Sequence, residues 1–418
     1  MAKEGMKKIQ FLKVLMLALF VSFGVVGFAQ HGEEHQPAEH AEKHETGEHE
    51  EEFNLAEEAL AHIANANAIH VFGDFYIPLP AILYAPGHGW TTFLTSKFDA
   101  RHHGNGEKAI DHYVMKHGVI HRIADESFPY GEVAIDGFTH GKIEKDGKEK
   151  DVAFALVNGK QYLLDEKSTL DGGMLGGGKT SYMDFSLTKG AFTMFLVLLL
   201  AFWLFRAVAK GYERNKGKAP SGVQSLLEPV ILFIRDEVAI PFIGKDKYER
   251  YFPYLLTLFF FILGLNLIGQ FPLAGNVTGN FSFTLVLAIV TALYVNLSGN
   301  KNYWEHVLWM PGVPSVLKIL ILTPVEILGV FIKPFTLMLR LFANIAAGHI
   351  VLVAFVGLIF IFGHSGQSMA GAGAGTVMAF LLSMFMMAVE LLVAFVQAFV
   401  FTLLAAAYFG AATEEAHH

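Results

Sequence analysis

The chain of 418 residues contains no cysteine. Disulfide bonds, zinc–thiolate sites and thiol catalysis are therefore excluded. Charge is also scarce: 17% of the residues are charged and 53% are hydrophobic, whereas about a quarter of the residues in soluble domains are charged. The formal net charge of -8 argues against nucleic acid as a partner. This composition indicates a protein of the lipid bilayer.

Long stretches lack ionisable residues altogether. No Asp, Glu, Lys or Arg occurs from Tyr251 to Asn300, and a turn at 272–280 divides this stretch into two spans. The other apolar segments are Gly190–Phe205, Val316–Phe362 and Val377–Ala407. An amphipathic segment, Val223–Ile240, suits a helix on the membrane surface. We therefore predict an all-α polytopic membrane domain over residues 185–413 with five crossings.

The distribution of basic residues orients these crossings. Lys and Arg cluster after the first apolar segment, and a cytoplasmic position is typical of such clusters. The two uncharged loops then fall outside. We expect a periplasmic N-terminus, a cytoplasmic tail at 414–418 and a location in the cell inner membrane.

The first residues resemble a secretory signal. Basic residues precede a short apolar core, and Gly27-Phe28-Ala29 ends it, which predicts a signal peptide over 1–29. An uncleaved anchor is the alternative reading. The following His/Glu-rich segment, 30–52, cannot bury enough apolar surface to fold and is predicted to be a disordered tail. Metal binding by its histidines is the sharper alternative, although their spacing matches no defined site.

Residues 53–184 are predicted to form an extracytoplasmic region that is α+β or partly disordered. Asn54–Asn67 suits a helix and His70–Tyr84 an extended run. Asp151–Leu164 suits a hairpin that turns at Asn158-Gly159. Gly172–Gly178 is expected to be a linker, because no Gly-Lys-Ser/Thr triplet supports a phosphate loop there. We find no catalytic constellation in this region.

Two ionisable residues stand out in the last two apolar segments. Leaving histidine aside, Arg340 and Glu390 are the only acidic or basic residues from Arg340 to Thr413. A charge at mid-membrane costs from about 2.5 to over 10 kcal/mol, so such residues call for a reason. A structural ion pair between the two is the plain explanation. Snorkelling of Arg340 is disfavoured, since apolar residues continue beyond it.

Helical spacing groups the polar residues of these segments. Glu326, Lys333 and Arg340 are seven apart and form one stripe, with Asn344 one turn further. His349 lies about 180° around the helix from Arg340 and roughly 13 Å along it. On the last helix, Glu390 and Gln397 share a face. Histidine and carboxylate exchange protons and amides order water, whereas arginine stays protonated and blocks direct passage.

Several segments carry a family resemblance. Pro334-Phe-Thr-Leu-Met-Leu-Arg340-Leu-Phe-Ala-Asn344-Ile-Ala-Ala-Gly348-His349 resembles the signature helix of subunit a of F-type ATP synthases. Glu390, with Gln397 seven residues later, resembles the last helix of that family. Asn266–Pro272 is similar to the end of its second crossing, and Glu326 matches its acid near the cytoplasmic outlet. The resemblance covers about residue 185 to the C-terminus.

The resemblance implies a proton channel built of two half-channels. Protons would enter past the four residues Asn344, His349, Glu390 and Gln397. They would load a carboxylate on the rotating c-ring and leave near Glu326, with Arg340 between the two paths. It also implies two long tilted helices beside the ring, and peripheral stalk b subunits and a catalytic head as partners. No cofactor or metal is expected, and the chain alone is not expected to be an enzyme, because it lacks a nucleotide-binding loop.

The sequence departs from the family pattern in places, and other functions compete with it. Gly269 stands where some members carry aspartate, acid and histidine are exchanged between the last two helices, and the N-terminal region lies outside the common pattern. A secondary transporter would show repeated halves, which we do not find. An intramembrane metalloprotease needs a paired-histidine motif that is missing. An anchored periplasmic binding or metal-sensing protein leaves Arg340 and Glu390 unexplained.

Overall fold

A computed structural model describes nine stretches of the chain. These are residues 65–72, 75–101, 104–145, 148–166, 168, 180–271, 275–309, 317–362 and 368–414. They belong to two compact units. The β unit lies within Val26–Thr193 with Gln270–Asn276, and the helical unit comprises Met194–Gly269 and Val277–His418. The predicted signal peptide, the His/Glu-rich tail and the Gly172–Gly178 linker lie outside the described residues.

The β unit consists of short antiparallel strands. They are β1 (Ala68–Phe72), β2 (Phe75–Pro78), β3 (Pro80–Ala85), β4 (Gly89–Leu94), β5 (Ala100–Arg101), β6 (Asn105–Gly106), β7 (Lys108–Ile110), β8 (Tyr113–Lys116), β9 (Val119–Arg122), β10 (Glu132–Ala134), β11 (Gly137–Lys145), β12 (Lys148–Val157), β13 (Lys160–Leu163) and β14 (Met183–Asp184). Their orders are β10-β7-β8-β9, β11-β12-β13 and β14-β3-β4, with two-stranded pairs β1-β2 and β5-β6.

Two apolar clusters hold these small sheets together. Leu83, Phe98 and Met115 are fully buried in the first cluster, and Ile123 and Phe128 lie in the second. Small sheets are marginal alone, so the packing of several of them on shared clusters stabilises the unit.

The structure confirms the predicted hairpin and the extended run before it. Val157 pairs with Lys160, and both intervening residues have positive φ: 50° at Asn158 and 73° at Gly159. Two such residues are typical of the type I′ turn, which Asn-Gly favours. The predicted α+β character is not seen in the described residues before Lys189, where only the 3-10 helix Thr95–Phe98 interrupts the strands. Most of the predicted helix Asn54–Asn67 lies outside the described residues.

Helices make up the second unit. They are α1 (Lys189–Arg214), α2 (Val223–Phe233), α3 (Ile240–Ile243), α4 (Tyr248–Gly269), α5 (Phe281–Leu297), α6 (Lys301–Trp309), α7 (Thr323–Phe362) and α8 (Met369–Thr413). Two π-helical segments, Ile234–Ala239 and Lys318–Leu322, precede α3 and α7. The predicted surface segment Val223–Ile240 is therefore helical but interrupted by a π-helix.

Four helices of the described chain are long and apolar enough to cross a membrane: α1, α4, α7 and α8. A fifth crossing requires α5 and α6 together, and these are bent by 107°. The predicted fifth crossing therefore rests on this bent pair, in which α5 ends at Leu297 and the chain turns at Gly299 before α6 begins at Lys301. A Cβ at Gly299 would come within 2.6 Å of the Tyr303 ring, so this turn requires glycine.

Close contacts between small residues pack the last two helices. The helices α7 and α8 are antiparallel, and a Cβ on Gly375 would approach the Leu358 carbonyl oxygen to 2.8 Å. Gly371 lies against the Phe362 carbonyl in the same way. At about 1.5 Å per residue, helices of 40 and 45 residues greatly exceed the roughly 30 Å of a bilayer core. Their lengths agree with the expectation of two long helices.

Candidate functional site

The buried carboxyl group of Glu390 lies at the contact between α7 and α8. Its side chain is only 8% exposed, although α8 presents many exposed apolar side chains to either side of it. A Cβ placed on Gly348 of α7 would lie 2.5 Å from Glu390 Oε1 and 3.2 Å from its Cδ. The carboxyl group therefore occupies the space that the missing side chain of Gly348 leaves open.

Oxygen atoms around this contact lack partners. Glu390 Oε1 and Ser383 Oγ are buried and have no hydrogen-bond partner within the described part of the chain. Ser383, Glu390 and Gln397 are seven apart and share one face of α8. A buried polar oxygen without a hydrogen bond costs about 1–3 kcal/mol, so this stripe favours the binding of water or a proton.

A third helix reaches the same face of α8 through Asn266. Its Nδ2 donates to the carbonyl oxygen of Ala394 at 3.1 Å, one turn beyond Glu390. The other end of this amide, Oδ1, is buried without a partner among the described residues. Asn266 itself is 3% exposed. The helix α4 thus places an acceptor oxygen beside the polar stripe of α8.

Gln397 lies deeper along the same stripe. It is 7% exposed, so both stripe residues predicted from the sequence are buried. Because α7 and α8 are antiparallel, the residue seven positions after Glu390 on α8 lies at the same height as the residue seven positions before Gly348 on α7. This places Gln397 level with Leu341, the residue after Arg340. The stripe therefore runs from the Gly348 contact to the level of the arginine.

Arg340 and Asn344 lie on another face of α7. Both side chains are exposed, whereas Leu337, Met338 and Leu341 around them are buried. No hydrogen bond or ion pair joins Arg340 to another residue in the described stretches. The structure thus shows no Arg340–Glu390 ion pair of the kind that a purely structural role would require.

The remaining stripe residues of α7 lie toward its N-terminal end. The Lys333 ammonium is 5.5 Å from the centre of the Tyr408 ring on α8, a cation–π distance. Glu326 is partly exposed and, 14 residues before Arg340, lies about 21 Å from it along the axis. Thr323 Oγ1 donates to the Leu308 carbonyl oxygen at 3.0 Å and so ties this end of α7 to α6.

An open groove of about 600 Å³ lies where α6 meets α7. Its lining is mostly apolar, with Trp309, Ile327 and Phe331 among the residues. None of the predicted ion-path residues lines it. We therefore place the candidate site at Glu390 rather than in this groove.

The structure brings some of the predicted residues together and separates others. Glu390 and Gln397 share a buried face, and the backbone of His349 follows Gly348 directly at the Glu390 contact. The side chain of His349 lies outside what the structure describes. Arg340 and Asn344 are on the exposed face, and Glu326 is remote from all of them. In the described stretches, no group of three His, Cys, Asp or Glu residues is placed to hold a metal ion.

Three residues of the site were not among the predicted ones. Ser383 continues the stripe of Glu390 and Gln397 by the same spacing of seven, so the pattern itself could have revealed it. Gly348 and Asn266 stood in the resembling motifs, but no spacing rule indicated that they meet α8. Their roles follow from contacts between distant helices.

Comparisons with known proteins find matches for two parts of the chain. The sequence model of the ATP synthase A chain family matches residues 191–410, and that of a domain family of unknown function matches residues 59–135. ATP synthase subunit a of Myxococcus xanthus is 40% identical over 56% of this chain and 76% of its own length. The Chloroherpeton thalassium subunit a is 39% identical over 56% of this chain and 69% of its own. A Chlorobium luteolum protein named ATP synthase subunit a 2 is 39% identical over 56% of this chain and 70% of its own length.

Proposed function

Because this chain belongs to the ATP synthase A chain family, we propose that it is the proton-channel subunit of an F-type ATP synthase. In this role it passes protons to and from a rotating c-ring and so couples proton flow to ATP synthesis. It is a multi-pass membrane protein of the membrane sector. The nucleotide chemistry would belong to the catalytic head, since this chain carries no nucleotide-binding loop.

The observation that supports the proposal is the separation of the Glu390 carboxyl group from the Arg340 guanidinium, which lie on different faces of the two helices. Glu390 is buried on α8 against Gly348, with an oxygen that has no partner among the described residues, whereas Arg340 is exposed on α7. A structural ion pair would join the two charges. A proton channel instead needs an internal group that exchanges protons. It also needs a fixed cation on the surface that faces the c-ring.

The proposed entry path follows the polar stripe. Protons from the periplasm pass His349 and Glu390 and then the amides of Asn344 and Gln397. From there they reach a carboxylate of the c-ring. Carboxylate and imidazole groups accept and release protons, and amides order water between them.

Arg340 supplies the barrier between entry and exit. Guanidinium stays protonated, so it cannot relay a proton, but it attracts the deprotonated ring carboxylate and repels a proton that would pass directly. The exit path toward the cytoplasm leaves near Glu326, on the same stripe of α7. Its distance of about 21 Å from Arg340 along the axis keeps the two half-paths at different depths.

The surface around Arg340 suits the ring. Apolar side chains flank the arginine on α7, with Phe335 50% and Leu339 39% exposed. A c-ring of apolar helices would cover them and leave Arg340 facing its carboxylates. The peripheral stalk b subunits and the head complete the assembly that we propose. The N-terminus would lie in the periplasm and the C-terminus in the cytoplasm, across the cell inner membrane.

Replacement of Glu390 tests the proposal. The variant Glu390→Gln keeps the volume of the side chain but cannot exchange protons at working pH. We expect ATP-driven proton pumping into inverted membrane vesicles to fall by a factor on the order of 10², the range that general acid–base groups contribute. The variant Glu414→Gln makes the same change at the exposed end of α8 and should pump normally.

Assembly and substrate specificity complete this test. The amount of c-ring and head that purifies with each variant shows whether the complex is intact. If an assembled Glu390→Gln complex pumps as the parent does, the proposed entry path is wrong. Proton-driven uptake of a solute by the chain without a c-ring would instead support the transporter reading.

A further inference from the structure

The outward face of one small sheet in the β unit is entirely uncharged. In the sheet β14-β3-β4, the cross-strand pairs on this side are Pro80 with Leu94, Ile82 with Thr92 and Tyr84 with Trp90. We call these six residues the Trp90 face. The alternate residues Ala81, Leu83 and Ala85 point into the core of the unit and are buried. The strands β3 and β4 therefore carry no charged residue on either side.

Large side chains on this face are open to their surroundings. Trp90 is 60% exposed, Leu94 51% and Ile82 37%. The Trp90 ring stands 5.0 Å from the Tyr84 ring and 5.2 Å from that of Phe185, so the aromatic side chains form one contiguous surface. Antiparallel sheets usually carry polar residues on the side that faces water, and contiguous exposed apolar patches mark interaction surfaces.

A second sheet of the same unit shows the usual pattern. On β11, the exposed residues Lys142 and Glu144 alternate with half-buried ones, and on β13 the polar residues Lys160 and Gln161 are exposed. The outer face of this sheet therefore suits contact with water. The contrast shows that the apolar character belongs to the Trp90 face and is not a property of the whole unit.

The chain leads directly from this sheet into a membrane helix. The Phe185 amide donates to the Ile82 carbonyl at 2.8 Å, and the Leu187 amide donates to the Pro80 carbonyl at 3.1 Å. The segment after β14 thus follows the edge of β3 to within two residues of Lys189, where α1 begins. Two extended residues span at most about 7 Å.

The first turn of α1 is also fixed to the β unit. The Lys189 amide donates to the Ala66 carbonyl at 2.7 Å, and the Gly190 amide donates to Asn65 Oδ1 at 2.9 Å. Lys189–Thr193 accordingly falls within the compact β unit. The sheet and the first turn of α1 are therefore tied together within one compact unit.

We propose that the Trp90 face is seated in the interfacial layer of the bilayer that α1 enters. Trp90 and Tyr84 would lie at the depth of the lipid headgroups, where amphipathic aromatic rings are enriched, and Ile82 and Leu94 would contact acyl chains. The partner is thus a lipid surface, which the absence of charge on the face and its tie to α1 both favour. This inference is independent of the proton path.

Spin labelling of the assembled complex in lipid nanodiscs tests the proposal. Because this chain lacks cysteine, Thr92→Cys gives it a single labelling site at the centre of the Trp90 face, in a complex whose other subunits have had their cysteines replaced. The matched control is Gln161→Cys on β13, which is also exposed. Collision rates of the nitroxide with oxygen, which concentrates in lipid, and with a water-soluble nickel chelate are measured at both positions.

The two reagents separate the possible occupants. We expect the Thr92 label to collide preferentially with oxygen and the Gln161 label preferentially with nickel. Equal, nickel-dominated values at both positions would overturn the proposal, because the face would then be in water. A Thr92 label shielded from both reagents would also overturn it, because a protein subunit would then cover the face. The variant Leu94→Cys carries the same expectations and replaces Thr92→Cys if that protein fails to assemble.

Discussion

The two units differ in which buried polar atoms lack a partner among the described residues. In the β unit these atoms include two nitrogens on separate segments, Asn67 Nδ2 and His112 Nε2. In the helical unit they are oxygens, and two of them, Ser383 Oγ and Glu390 Oε1, lie on one stripe of α8. Unsatisfied groups destabilise a fold unless water or a proton fills the place. The aligned oxygens of α8 are therefore the better candidates for the proposed proton exchange.

Filling the notch at Gly348 should produce the largest effect among the changes that leave Glu390 and Arg340 themselves in place. In the variant Gly348→Ala, the new Cβ would meet Glu390 Oε1 and displace the carboxyl group. Because proton transfer needs heavy-atom separations of about 2.6–3.2 Å, we expect ATP-driven pumping to fall on the order of tenfold. The control is Gly329→Ala on the same helix, where the added Cβ would meet no neighbouring atom within 4 Å. Equal pumping by both variants would show that the contact does not position the carboxyl group.

Removal of the amide of Asn266 should produce a smaller loss. The variant Asn266→Leu loses two features: the hydrogen bond to the Ala394 carbonyl and the acceptor oxygen beside the stripe. Loss of the hydrogen bond lowers the free energy of unfolding by about 1 kcal/mol. We expect pumping to fall a few-fold while the complex still assembles. Initial rates of acidification in inverted vesicles measure this change. A loss of assembled complex without a loss of rate per complex would assign Asn266 a structural role alone.

A pH effect is expected in the β unit, at a turn far from the proton path in sequence. Burial lowers the pKa of His112 below its ordinary 6.5, and the ring is 1% exposed. The unfolded state therefore binds the proton more readily, and local stability falls as pH drops below about 6.5 until the folded group also titrates. The exchange rates of the amides near Tyr113, each divided by the intrinsic rate at the same pH, should rise a few-fold from pH 7.5 to 5.5. The variant His112→Gln should flatten that dependence; an unchanged dependence would implicate other groups.

The smallest effect is expected at the turn of the β12–β13 hairpin. Gly159 has φ of 73°, so Gly159→Ala costs about 1–2 kcal/mol in a left-handed conformation. Exchange protection of the hairpin should decrease, and pumping should stay unchanged. Altered pumping would show that the β unit acts on the proton path, which would break the division of roles between the two units.

Local patterns explain which parts of this structure could be predicted. The turn at Asn158-Gly159 and the shared face of Glu390 and Gln397 depend only on neighbouring residues, and both predictions agree with the structure. Many strands of the β unit were missed because they are two to four residues long, as in β7 and β10, and pair across distant segments. Such pairing leaves little periodicity in the sequence.

The parts that could not be predicted depend on contacts between distant segments. The notch of Gly348 is one of them, because the spacing on one helix does not say which face of another helix it meets. The absence of charge predicted a fifth crossing, but only the structure shows that its helices α5 and α6 are bent by 107°. Hydropathy reports burial in lipid and not the direction of a helix.

The central claim is that Arg340 separates two half-paths, and its removal tests this most directly. We would measure ATP-driven proton pumping and passive proton leak of Arg340→Ala in inverted vesicles, with Lys333→Ala as the control on the same stripe. We expect an assembled Arg340→Ala complex that hydrolyses ATP without pumping, and a Lys333→Ala complex that still pumps. Normal coupled pumping by Arg340→Ala would show that Arg340 does not separate the two half-paths.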